Sequence, residues 1–467
     1  MRLSTIKATY FDGSALRARL LSGSTWALGG KVAAAATGLV INALLARMLT
    51  PAEFGAYFLA LSIISFGALV GALGLTKAVI RFVAENMGLN QAGRVRRAVY
   101  LSLGFGVLGS LVVGLSYWLV VGDLVGEYLF HSTFLVAITG LMAGWMAIAV
   151  LQEITAETFR GFHDIRGATL LGGLATGGKS GGVAMRVLIL LGLVFLWVGN
   201  GKTDLTTVML ISVGAGSVSL LVGLGLLRAR VSSLGSEKGT MTPVSAREVI
   251  LDALPTLGIS LTAFVMLSAD IWILGVLGSQ QEVAIYGATS RLVALVALPL
   301  LVTNLVLPPI VTEMYAKGQT TRLERTLRSF STLTGVPSFL VLVGFMLLGG
   351  PILGLVYTDF YRGGATVLVL LSLAKMVAVW SGSCGTVLQF TGHQGSMLRL
   401  NLLTSPIFMV GAVLVARDYG PVGVAAVAAA VTILQNVAMV LMAKRKTGMW
   451  THVSFSLAPL RKVLSNR

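Results

Sequence analysis

Long apolar runs alternate with short polar gaps along almost the whole chain. Twelve runs can be delimited, at approximately residues 23–47, 52–75, 98–121, 133–156, 168–197, 205–227, 249–275, 283–309, 330–357, 363–390, 394–415 and 421–443. At ~1.5 Å rise per residue, about 20 apolar residues cross the hydrocarbon core of a bilayer as a helix. The pattern predicts an all-α polytopic membrane protein with twelve transmembrane helices. The main polar linker, residues 229–247, separates six runs in 1–228 from six in 248–443, and residues 444–467 form a basic tail.

The gaps carry the orientation. Of the 35 Lys and Arg residues, 26 fall in alternate gaps, counting Arg399 at the edge of the eleventh run with its gap, and only Lys202, Arg362 and Arg417 fall in the others. Loops on the cytoplasmic side of a membrane collect Lys and Arg, so both termini are predicted to be cytoplasmic. The outer gaps are very short, which leaves no room for an extracytoplasmic domain. Composition agrees, with 55% apolar and 11% charged residues, against about a quarter charged in a soluble protein. The net charge of +17 then reads as a topology signal and contact with anionic lipid, not as a nucleic-acid surface.

The two halves read as copies. At an offset of about 228, Glu53-Phe-Gly-Ala-Tyr57 faces Glu282-Val-Ala-Ile-Tyr286, and Glu85, Arg94 and Arg97 face Glu313, Arg322 and Arg325. Six spans per half keep both copies in the same orientation, a transporter architecture of two six-helix lobes around a central cavity.

Several sites are excluded. Cys384 is the single cysteine, and the four histidines show no HxxxH or HExxH spacing, which argues against a disulfide and a zinc enzyme. Gly173-Leu-Ala-Thr-Gly-Gly-Lys179-Ser180 fits GxxxxGK[ST] letter for letter. A phosphate-binding loop needs a strand before it and a helix after it. This match lies inside an apolar run, so no nucleotide and no cofactor are predicted, and its glycines instead loosen the fifth helix or admit close packing of its neighbours.

The remaining six cations lie inside the runs: Lys31, Arg47, Lys179, Arg186, Arg291 and Lys375. Arg47 can reach the outer interface as an anchor. The other five face one clearly deep acid, Asp270, while Asp252 lies near a helix end and reads as structural, and Glu153 and Glu157 sit at the inner end of the fourth run. An unpaired buried charge is costly unless water or a ligand compensates it. Lys31, Lys179, Arg186, Arg291 and Lys375 are therefore the candidate substrate-binding set, pointing to an anionic substrate. Asp270 is a candidate for ion coupling or for an ion pair with Arg291. Pro255, Pro299, Pro308, Pro309 and Pro337 are the expected kinks.

The stretch Asn42-Ala-Leu-Leu-Ala-Arg47-Met-Leu-Thr-Pro-Ala-Glu53-Phe-Gly-Ala-Tyr57, followed by Gly74-Leu and Ile80-Arg81-Phe-Val-Ala-Glu85, resembles the amino-terminal signature of bacterial polysaccharide flippases. These belong to the multidrug/oligosaccharidyl-lipid/polysaccharide exporter superfamily. The resemblance implies a cavity formed largely by the first two helices of each lobe, which carry Lys31, Asp270 and Arg291 but not Lys179 or Lys375. It also implies a non-enzymatic function in the bacterial inner membrane: passage of an undecaprenyl-diphosphate-linked oligosaccharide, beside a polysaccharide polymerase and export machinery. A multidrug exporter and a flippase for the lipid-linked peptidoglycan precursor are the alternatives. Deep positive charge disfavours cationic drugs, and charge alone does not separate the two lipid-linked cargoes.

Overall fold

The computed structural model describes residues 13–172, 182–234 and 244–454, and every regular element among them is helical. In the amino-terminal half, α1 spans Gly13–Met48, α2 Pro51–Gly71, α3 Leu75–Gly88, α4 Ala92–Ser116, α5 Thr139–Gly161, α6 Val183–Asn200 and α7 Leu205–Ser232. After the linker come α8 Ala246–Leu277, α9 Gln280–Ala316, α10 Thr320–Val356, α11 Ala365–Ser381 and α12 Gln394–Thr447. Ten helices among the described residues are long and apolar enough to cross a membrane, and Val183–Gly199 is a shorter apolar one. That segment, together with the two arms into which a kink divides α12, brings the helices into register with the twelve runs.

The fifth run departs from expectation. It is not one continuous helix: a short helix, Ile165–Leu171, ends where Gly172 turns extended (φ −123°, ψ 154°), and α6 begins after an extended Gly182. Lys179 and the GxxxxGKS match lie outside the described residues. Two helix breaks fall outside the expected proline set. Non-helical angles inside the long helices occur at Leu348, three residues before Pro351, and at Gly420, directly before Pro421. Proline disfavours helical angles in the residue before it, and at Gly420 the resulting φ of +50° is accessible because glycine lacks a Cβ. By contrast α8 and α9 run through Pro255, Pro299, Pro308 and Pro309. Near Pro299, the Ser338 hydroxyl donates to the Val296 carbonyl at 2.7 Å, the kind of neighbouring polar contact that lets a membrane helix tolerate proline.

Matching caps open α2 and α9. Thr50 N donates to Glu53 Oε2 at 2.9 Å while Glu53 N donates to Thr50 Oγ1 at 3.3 Å. Ser279 and Glu282 repeat this at 2.7 and 3.3 Å. Each reciprocal pair satisfies otherwise orphaned backbone donors. The aligned acids Glu53 and Glu282 thus have one local job, and Tyr57 and Tyr286, one turn further on, are both buried.

α3 is an amphipathic helix too polar to be a span. It buries Leu75, Ala78, Val79, Phe82, Val83 and Asn86 at the three- and four-residue spacing of one helix face. Lys77 and Arg81 project elsewhere.

Contacts divide the chain into two compact units, one of residues up to Ile41 with Ala60–Val265, the other of Asn42–Leu59 with residues from Met266 on. The α1–α2 turn therefore packs with the carboxy-terminal helices, and the start of α8 packs with the amino-terminal ones. In the first unit Arg81 pairs with Asp252 at 2.8 Å and Arg94 with Glu248 at 3.7 Å, while Arg97 donates to the Val244 carbonyl at 3.3 Å. Asp252 is thus engaged in an ion pair at a helix end.

Candidate functional site

Each unit gathers charged residues from several helices. In the second unit, Asp270 sits near the carboxy end of α8, Tyr286 and Arg291 near the start of α9, and Lys375 midway along α11. The Tyr286 hydroxyl donates to the Asp270 carboxylate. Arg291 and Lys375 both lie within electrostatic range of Asp270. The Arg291 guanidinium lies over the Phe58 ring at 5.6 Å from its centroid, a cation–π contact that holds its plane. Phenols of Tyr57 and Tyr357 surround it, and Tyr357 is fixed by a 2.9 Å hydrogen bond to the Ala288 carbonyl. Tyr57, Phe58, Tyr286 and Tyr357 are buried, Arg291 and Asp270 are partly accessible and Lys375 is exposed. Aromatic side chains thus surround Arg291, with Asp270 in electrostatic range of both Arg291 and Lys375. Arg offers a planar fork suited to phosphate, and Lys a compact charge.

Lys375, which the family resemblance left outside the cavity-forming helices, shares the same carboxylate.

In the first unit, α5 carries Glu153, Glu157 and Arg160. Arg160 Nη1 donates to both Glu157 oxygens, at 2.8 and 2.6 Å. Lys77 on α3 lies within electrostatic range of both glutamates, and Lys31 on α1 within range of Arg160. Arg160 Nη2 is buried without a hydrogen-bond partner among the described residues. Lys77 and Arg160 thus face two carboxylates, with Lys31 in range of Arg160. Reading the sequence missed Lys77, Arg160 and the glutamates as members because they fall at run ends and in gaps. The i,i+3 spacing of Glu157 and Arg160, which places them on one helix face, was the available signal.

Two of the intramembrane arginines hold backbone. Arg186 donates through Nη1 to the Ala34 carbonyl of α1. Arg47 donates through Nη2 to the Leu355 carbonyl and through Nε, at 3.5 Å, to that of Val356, where α10 ends. A guanidinium at a helix carboxy terminus satisfies open carbonyls, so Arg47 acts as a helix cap.

The family described as polysaccharide biosynthesis protein matches residues 20–315. No curated protein matches the chain. Among solved structures, an inward-facing multidrug resistance MATE family transporter of the MOP superfamily superposes with a TM-score of 0.70 at 15% identity, over 88% of this chain and 94% of that one. The lipid II flippase MurJ, in an inward closed conformation, gives 0.64 at 13% identity over 94% and 89%. A MOP superfamily transporter from Pyrococcus furiosus, whose binding pocket is described as having reverse polarity, gives 0.61 at 14% over 92% and 95%. At these identities the likeness is one of fold.

Proposed function

Because the chain belongs to the polysaccharide biosynthesis protein family, we propose that it is a flippase for an undecaprenyl-diphosphate-linked oligosaccharide repeat unit. It would carry that unit across the bacterial cytoplasmic membrane by alternating access, with both termini cytoplasmic, and feed polymerisation and export. The observation that carries this reading is the excess of cations over carboxylates in both clusters, Lys31, Lys77 and Arg160 in one, Arg291 and Lys375 in the other. A diphosphate brings about one negative charge per phosphate, and Arg and Lys together supply the donors it needs. The membrane potential assists, because moving an anion out of a negative interior gains ~2.3 kcal/mol per charge per 100 mV.

The folds of a multidrug transporter and of a lipid II flippase are both close, so fold does not choose the cargo. Charge disfavours a cationic drug. The sugar portion separates the two lipid-linked substrates, and a transport assay addresses it. Purified protein in liposomes is offered, in separate experiments, an undecaprenyl-diphosphate oligosaccharide, a lipid-linked muropeptide precursor and a cationic dye, each read by accessibility from the opposite leaflet. Translocation of the oligosaccharide, reduced by Arg291→Ala, supports the reading. Movement of the dye or the muropeptide in its place would overturn it.

A further inference from the structure

The start of α10 and the end of α12 meet around a cavity of about 340 Å³, which shares no lining residue with either charge cluster. Thr320, Thr321, Arg325 and Arg328 line it from α10, together with Glu324, and Gly448 closes it after α12. The surroundings are strongly basic: Arg322 follows Thr321 in the first turn of α10, and Lys444, Arg445 and Lys446 form the last turn of α12. Against these stands Glu324, whose carboxylate is 3.9 Å from Arg328 Nη1, beyond hydrogen-bond reach. Arg328 Nε is buried and has no hydrogen-bond partner among the described residues. Gln319 does not cap α10 with its side chain, so the first N–H groups of that helix are also open to a ligand. Beside the cavity, Lys444 Nζ donates to the Gly448 carbonyl at 2.7 Å and lies 5.3 Å from the Trp450 ring centroid, an aromatic–cation pairing suited to the headgroup level of a membrane.

We propose that this cavity is a phosphate-binding site, filled in the membrane by the headgroup of an anionic phospholipid. Arg325 and Arg328 supply charge-assisted donors, the two threonine hydroxyls complete the oxygen-binding set, and the basic turns of α10 and α12 raise the local concentration of anions. The charge bias of the loops assigns this end of both helices to the cytoplasmic side, where anionic headgroups are abundant. A headgroup seated here would bridge α10 to α12 without touching Arg291, Lys375 or Asp270. The inference stands apart from the identity of the transported cargo.

Native mass spectrometry of the full chain, released from nanodiscs containing phosphatidylglycerol or phosphatidylcholine, tests it. The wild type should retain phosphatidylglycerol, and Arg325→Gln/Arg328→Gln should retain at least tenfold less. The control Arg228→Gln/Arg399→Gln, which removes equal charge from exposed helix positions, should behave as the wild type. Unchanged melting of both double variants in phosphatidylcholine would show that they fold. A second arm adds inorganic phosphate to the protein in detergent. Arginine-dependent stabilisation by phosphate, with no lipid retained, would keep the phosphate site and assign its occupant to the soluble ion. Equal lipid retention by the cavity variant and the wild type, or equal losses in both double variants, would overturn the proposal.

Discussion

Arg291→Ala removes a guanidinium that stands both over Phe58 and within range of Asp270. A hydrogen bond to a charged group contributes about 1.5–3 kcal/mol, so losing a phosphate contact should weaken substrate engagement roughly tenfold to a hundredfold. The same deletion also leaves Asp270 with one cation fewer, and that second effect bears on stability, not on cargo. The two separate in a double-mutant cycle with Asp270→Asn. If Arg291 serves mainly to neutralise Asp270, the double variant should recover the melting temperature and the transport rate together. If Arg291 binds the diphosphate, the double variant should recover stability while transport stays down at least tenfold. Arg291→Lys should keep part of the activity, since charge remains and the planar fork is lost. The assay is substrate exchange in liposomes at equal pH, where Asp270→Asn alone is expected to stay active, with melting measured on the same preparations. Full transport by Arg291→Ala, or full rescue by Asp270→Asn, would refute the assignment of Arg291 to the substrate.

Four further outcomes are expected. Cysteine at Asp123 or Asp359 should react with an impermeant thiol reagent from outside the cell and cysteine at Ser233 should not; the opposite pattern would reverse the orientation. Gly55→Ala should destabilise by about 1–3 kcal/mol through overpacking, because an added Cβ would lie 1.8 Å from the Gln280 carbonyl oxygen, whereas Gly104→Ala meets nothing within 4 Å and should leave the melting temperature within error. Asp270→Asn should abolish transport driven by a pH gradient while permitting substrate exchange at equal pH; parallel loss of both with lowered melting would make Asp270 structural. The purified chain should bind no ATP analogue, and saturable binding abolished by Lys179→Ala would revive the GxxxxGKS segment as a nucleotide site.

The helices were legible because lipid makes two demands that sequence displays directly, a run of about 20 apolar residues and satisfied backbone at each end. The aligned Glu53 and Glu282 were visible as a motif match, and their shared role as caps emerged only with the backbone. Less legible was where helices break. The fifth run breaks where Gly172 and Gly182 turn extended, and non-helical angles occur at Leu348 and Gly420, positions outside the expected proline set. Proline frees backbone carbonyls locally, and neighbouring groups such as the Ser338 hydroxyl satisfy them, partners that sequence does not display. The charge clusters were half legible. A deep cation announces itself on a hydropathy trace, whereas Lys77, Arg160 and Glu157 lie at run ends, where charge is normal, and gain their meaning from what packs beside them.

Those compensating residues bear on how a carrier of anions can work at all. Five deep cations facing a single acid would hold a diphosphate tightly or destabilise the empty protein, because isolated buried charge costs several kcal/mol. The clusters avoid both outcomes. In the first unit Glu157 accepts Arg160 through both oxygens and Glu153 lies in the field of Lys77; in the second, Asp270 is shared by Arg291, Lys375 and the Tyr286 hydroxyl. Each arrangement retains one more cation than carboxylate. Under the proposed function, a surplus of that size would attract a phosphate, and the carboxylates would keep an internal partner ready when it leaves. Binding that is favourable enough to load and weak enough to release is the general condition for passage through a protein. Under that proposal, the acids would serve this condition as much as the cations do.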